Sequence, residues 1–145
     1  MFSQGTDKKK RIIGIDFGIK RMGIAITDET QTIAQPLCVI KREGNKKDIE
    51  KIREILRKYD VKKIVLGVSE NEKGELTEIG KKSMAFGEKL RELDVEIEFV
   101  EESFTTSIAH DALTLSGVKT KKHKDYVDKI AATLILQDYL RSQKK

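Results

Sequence analysis

The sequence has a single cysteine, Cys38, no tryptophan and one proline. One cysteine excludes an internal disulfide and any zinc centre built from thiolates. Long apolar runs are missing too. The longest are short and strand-like, far below the roughly 20 residues of a membrane-spanning helix. The first eleven residues are polar and end in Lys8-Lys9-Lys10-Arg11, without the apolar core of a secretory signal. These absences suggest a cytoplasmic protein with no membrane partner. There is no Walker phosphate loop and no dinucleotide fingerprint. Asp16-Phe17-Gly18 spells the kinase metal tripeptide, but the kinase catalytic-loop motif is absent.

What is present is charge. Charged residues make up 37% of the 145 positions and hydrophobic residues 38%, with a net charge of +5. That length suits one domain with a sizeable core. The positive balance favours an anionic partner without identifying it. Residues 1–10 read as a disordered basic lead-in, 11–141 as a single domain and 142–145 as a tail.

Arg11 to Asp16 reads as a buried strand ending in a carboxylate. Gly18 and Gly23 bracket a turn holding Lys20 and Arg21. Met22–Thr27 and Thr32–Ile40 read as two further strands in antiparallel hairpins. Ile49, Ile52, Leu56 and Tyr59 form an amphipathic stripe over 46–59. Its charges, Lys46, Lys47, Asp48, Glu50, Lys51, Arg53, Glu54, Arg57 and Lys58, read as a solvated face. A strand over 63–68 and a polar loop over 69–75 follow. A helix with Leu76, Ile79, Phe86, Leu90 and Leu93 as apolar positions leads to a strand over 95–100. Thr105 or Thr106 is a candidate cap for a helix running to Leu115. Lys119 to Lys124 reads as a basic loop before a final helix over 125–141. The order βββαβαβαα predicts an α/β fold, a mixed sheet covered by helices.

Open sheets of this kind bind ligands beyond the carboxyl ends of their parallel strands. Asp16 closes the first strand there, Glu101 and Glu102 close the fifth, and Asp128 stands in the first turn of the last helix. Each has an ordinary alternative. Asp16 could bond to turn amides. Glu102 could continue an acidic edge begun by Glu96 and Glu98. Asp128 could complement the helix dipole. Converging, the three would form an all-oxygen site for one or two Mg²⁺ or Mn²⁺ ions, suited to phosphodiester cleavage. Lys20, Arg21, Lys119, Lys121, Lys122 and Lys124 would supply positive charge for phosphates. His110 and His123 read as surface or partly buried residues, and Cys38 as core.

Four segments, in order, resemble the YqgF (RuvX-like) family. They are Gly14 to Asp28; Gly67-Val68-Ser69 with Asn71 and Gly74; Val100 to Thr106; and Lys124 with Val127 to Ala132 and Ile135-Leu136-Gln137. The resemblance spans Arg11 to Leu140. It implies an RNase H-like fold with a five-stranded mixed sheet flanked by helices. It implies metal-dependent cleavage of nucleic acid with Asp16, Glu102 and Asp128 as the acidic residues, and Glu101 as a reserve ligand. Lys20 and Arg21 match the family's basic pair, which suits phosphate contact. Ser103 stands where the family commonly has Arg, and Ser69 replaces its usual Pro.

The reading is a nuclease trimming the 5′ end of precursor 16S rRNA, acting as a monomer or homodimer and possible partner of a pre-ribosomal particle. The rivals are a Holliday junction resolvase on branched DNA, which would need a two-fold dimer, and a non-catalytic RNA-binding assembly factor. An actin-like phosphotransferase would need two large domains, more than 145 residues supply.

Overall fold

The computed structural model describes residues 10–101 and 121–143, with side chains from 127 onward in the second segment. Three strands open the chain: β1 (Arg11–Phe17), β2 (Arg21–Thr27) and β3 (Ala34–Lys41). Helix α1 (Asn45–Tyr59) leads to β4 (Val61–Val68). Helix α2 (Glu78–Leu90) and a short 3₁₀ turn over Arg91–Leu93 lead to β5 (Glu96–Glu101). Helix α3 spans Lys121–Ser142. The five strands form one sheet in the order β3-β2-β1-β4-β5. β1–β2 and β2–β3 are antiparallel, while β1–β4 and β4–β5 are parallel. The expected mixed sheet is therefore present, with the hairpins on one side of β1 and the helical crossovers on the other.

Strand alternation divides the core between two faces. Ile13, Ile15 and Phe17 of β1 pack with Met22, Ile24 and Ile26 of β2, beneath Ile49 and Ile52 of α1 and Phe86 and Leu90 of α2. On the other face Ile12, Ala25 and Val65 meet Ala132, Ile135, Leu136 and Tyr139 of α3. That second face is built for close approach. A side chain at Gly14 would place its Cβ 2.9 Å from Leu136 Cβ and 3.2 Å from the Ala132 carbonyl oxygen. Glycine and alanine on the sheet let α3 settle almost against the backbone.

Several boundaries differ from the sequence reading. β2 starts one residue early, at Arg21, which therefore belongs to the strand and not to the turn. Leu76 precedes α2, which is capped by Thr77 Oγ1 accepting from the Gly80 amide at 3.0 Å. Leu93 falls in the 3₁₀ turn. Asp48 is not on a solvated face but fully buried. Lys121 to Lys124 are helical rather than looped, because α3 starts at Lys121. Asp128 accordingly lies about two turns from the helix start, beyond the reach of the dipole effect invoked for a first-turn carboxylate. The helix expected over 105–115 lies outside the described residues.

Candidate active site

Asp16 is the penultimate residue of β1 and 8% exposed. Alternation puts it with Ile12 and Gly14 on the α3 face. Its partner across the antiparallel pair is Gly23. A Cβ at Gly23 would lie 1.9 Å from the Asp128 carbonyl oxygen. The backbone of Asp128 is thus seated on the residue directly beside Asp16. Two carboxylate-bearing positions from opposite ends of the sequence meet at the carboxyl edge of the central strand.

Arg21 opens β2 on the same face as Gly23. Its Nε donates to Asp128 Oδ2 at 2.9 Å, with Arg21 30% and Asp128 22% exposed. The sequence reading gave Arg21 to phosphate; in the structure it holds a site carboxylate. Lys20 is exposed in the intervening turn.

That turn is braced from below by Arg42, a residue the sequence reading passed over. The Arg42 amide donates to the Lys20 carbonyl at 2.9 Å, and its Nη1 reaches the Gly18 carbonyl at 3.5 Å. Nε donates to Asp48 Oδ2 at 3.0 Å and Nη2 to Asn45 Oδ1 at 2.7 Å. The guanidinium lies 4.5 Å from the Phe17 ring centroid. Asp48 Oδ1 also accepts from the Glu43 amide at 3.0 Å. A buried carboxylate needs such compensation. No spacing rule marks Arg42, and Asp48 in a first helical turn looks like an ordinary dipole partner.

Glu101 ends β5 opposite Val68. Alternation groups it with Ile97 and Phe99, on the face covered by α1 and α2, and so across the sheet from Asp16. Glu102 and Lys119 lie outside the described residues. Lys121, Lys122 and Lys124 belong to the opening of α3, with Lys124 one helical turn before Asp128. The loop after β4 is tied by Asn71 Oδ1, which accepts from the amides of Lys73 at 2.8 Å and Glu75 at 3.0 Å. Ser69 Oγ hydrogen-bonds Thr77 Oγ1, joining this loop to the cap of α2. Cys38 is half-buried, and burial pushes its thiol pKa up, against a smaller opposing effect of Lys129. It stays a neutral thiol, as expected of a core residue. A cleft of about 440 Å³ lined by Arg53, Arg57, Asp60 and Asp94 opens at the amino ends of β4 and β5, away from Asp16.

Among the described residues no three His, Cys, Asp or Glu side chains cluster as a metal site. Asp16 and Asp128 nonetheless fit part of one. Both offer hard oxygen donors, with no sulfur or imidazole competing, which suits Mg²⁺ or Mn²⁺. A carboxylate as buried as Asp16 also gains from a compensating positive charge.

Comparison with known proteins bears on the family and the fold. Residues 10–142 match the family model described as RuvX, Holliday junction resolvase. A protein of Caldanaerobacter subterraneus subsp. tengcongensis named "Putative pre-16S rRNA nuclease" is 44% identical over 137 residues, covering 92% of this chain and 98% of that protein. A relative of the same name from Clostridium beijerinckii is 40% identical over 131 residues, covering 90% and 95%. Among solved structures, T. thermophilus RuvC in complex with Holliday junction substrate superposes with a TM-score of 0.58 at 16% identity, covering 92% of this chain and 96% of that one. Fowlpox virus resolvase with Holliday junction DNA gives 0.52 at 19% identity, covering 93% and 99%. These two likenesses show the fold, an RNase H-like sheet.

Proposed function

The chain belongs to the RuvX family, and on that premise we propose that it is a metal-dependent nuclease trimming the 5′ end of precursor 16S rRNA. The observation that carries this reading is the seating of Asp128 on Gly23, beside Asp16. It brings two acidic positions of the motif to one edge of an RNase H-like sheet.

In this reading Asp16, Glu102 and Asp128 hold one or two Mg²⁺ ions, with Mn²⁺ as a substitute. The ion, when bound, supplies Lewis acidity at the scissile phosphate and lowers the pKa of water. The protein's own residues do the rest. Asp16, paired with Gly23 of β2 and next to Ile15, which pairs with Leu66 of β4, presents its carboxylate from a rigid base. Burial at 8% exposure limits water around it, which strengthens its interaction with cations. Lys20 and Arg21 bind the phosphates flanking the cut, from a turn that Arg42 immobilises. Lys119, Lys121, Lys122 and Lys124 extend this positive track. Such contacts orient the backbone without reading sequence. No helix among the described residues is long and apolar enough to cross a membrane. In this reading the enzyme works in the cytoplasm beside the pre-ribosomal particle.

A second reading, cleavage of four-way DNA junctions, is favoured by the family's description as Holliday junction resolvase. It uses the same groups and differs in substrate shape and in needing a two-fold dimer. Both are tested with an end-labelled precursor rRNA leader duplex and a labelled four-way junction, in Mg²⁺ and in EDTA. The expected result is Mg²⁺-dependent cutting of the rRNA leader, reduced by at least about 10²-fold in Asp16→Asn. The variant should keep the wild-type melting profile. Cutting of the junction alone would establish the second reading. Unchanged rRNA processing in cells carrying Asp16→Asn would make the protein a non-catalytic assembly factor.

A further inference from the structure

Arg21 sits between two anionic claims. Its Nε is committed to Asp128 Oδ2 at 2.9 Å, yet it stands next to exposed Lys20, at the edge of the turn assigned above to phosphate binding. The Nε–H that serves Asp128 cannot serve a phosphate at the same time. A divalent cation on the same carboxylate would stand within a few ångström of the guanidinium, and the two positive charges would repel. At 30% and 22% exposure the pair is accessible enough to open. The Asp128 backbone cannot follow Arg21 away, because it rests on Gly23. Once separated from Asp128, the guanidinium recovers its Nε–H, which completes the side-on pair of donors matched to phosphate.

We propose that Arg21 is an exchange residue: it holds Asp128 in the metal-free protein and passes to a substrate phosphate when a divalent cation takes Asp128. The inference rests on reading Asp16 and Asp128 as cation ligands. It assigns Arg21 a positioning role before the cation arrives and a substrate-binding role after. Cation and nucleic acid binding then favour one another, because the first frees a donor for the second, and the linkage is reciprocal.

The test needs no catalysis. Affinity for an RNA duplex is measured in EDTA for wild type, Arg21→Gln, Asp128→Ala and the double variant. Arg21→Gln should cost less than about twofold in the wild-type background, where the guanidinium is held. In the Asp128→Ala background the same substitution should cost about fivefold or more. An equal cost in both backgrounds overturns the exchange. Asp128→Asn replaces Asp128→Ala if thermal melting shows the alanine variant unfolded. A Mn²⁺ titration of the RNA-free proteins gives a second readout. Arg21→Gln should bind Mn²⁺ about fivefold tighter than wild type, since a competing cation has been removed. Mn²⁺ binding by wild type with no change in Arg21→Gln overturns the exchange and leaves the nuclease reading standing. Failure of wild type both to bind Mn²⁺ and to cleave RNA overturns both.

Discussion

Gly23 does more for the site than any charged residue near it, because it decides how close α3 comes. Its missing side chain leaves room for the Asp128 carbonyl, which a Cβ would approach to 1.9 Å. Gly23→Ala is expected to force backbone apart on both sides and cost about 3 kcal/mol, the upper part of the usual overpacking range. It should also reduce cleavage by about 10²-fold through displacement of Asp128. Urea denaturation and cleavage assays check the two effects. Gly74→Ala is a useful contrast. Its φ of 81° disfavours a side chain, but nothing lies within 4 Å of the added Cβ. About 1 kcal/mol and unchanged cleavage are expected there. Asp16 was legible as a candidate, since an acid after Ile12-Ile13-Gly14-Ile15 is costly unless exposed, paired or metal-bound, whereas Asp128 stood out only in company with it. The role of Gly23 was not. A glycine five residues after Gly18 looks like the far side of a turn, and only the approach of a helix from more than 100 residues away reveals what it accommodates. Arg42 was hidden for the same reason: its partners Gly18, Lys20 and Asp48 are gathered by the fold.

At the scale of elements, the docking of α3 is secured at its far end by Lys63. This residue of β4 lies 2.6 Å from Glu98 and 3.2 Å from Glu96 of β5, and hydrogen-bonds Tyr139 of α3. Burial pushes the Lys63 pKa down, but hydrogen bonds to Glu98, Tyr139 and Glu96 outweigh it, and the net shift is upward. The folded state therefore holds this proton more tightly than the unfolded chain, whose lysine value is about 10.4. The stabilisation is complete below that value and is lost as pH rises through the higher folded one. Urea midpoints recorded between about pH 9 and 12 should fall in wild type more steeply than in Lys63→Met. Equal slopes would remove Lys63 as the cause. Period-two and helical patterns located the elements well, because each strand and helix buries a face. They located the start of α3 poorly. Lys121 to Lys124 carry no apolar position, so their helicity left no trace in the pattern, and Asp128 was placed about one turn too near the helix start.

For the molecule as a whole, the +5 charge sets the expected behaviour toward nucleic acid. Binding should weaken linearly on a log–log plot as salt rises, with about 0.9 in slope per phosphate neutralised on duplex DNA. Lys20→Ala should lower that slope by about one contact and weaken unrelated duplex sequences equally, as fluorescence anisotropy can measure. A slope identical to wild type would remove Lys20 from the phosphate track. The mixed sheet was legible from the change of pattern after β3, where hairpin spacing gives way to helical crossovers.

The ion pair between Arg21 and Asp128 also has a consequence in time. Its partners are 107 positions apart. As the chain is synthesised, β1 and β2 can pair while Asp128 has not yet been made. The hairpin at the start of the chain carries Asp16, Lys20 and Arg21, but the platform beside Gly23 stays bare until α3 arrives. A growing chain therefore carries Asp16, Lys20 and Arg21 before it carries Asp128. The Arg21–Asp128 pair closes only after α3 has been made, so in the reading proposed above the nuclease would gain its second carboxylate later than its first.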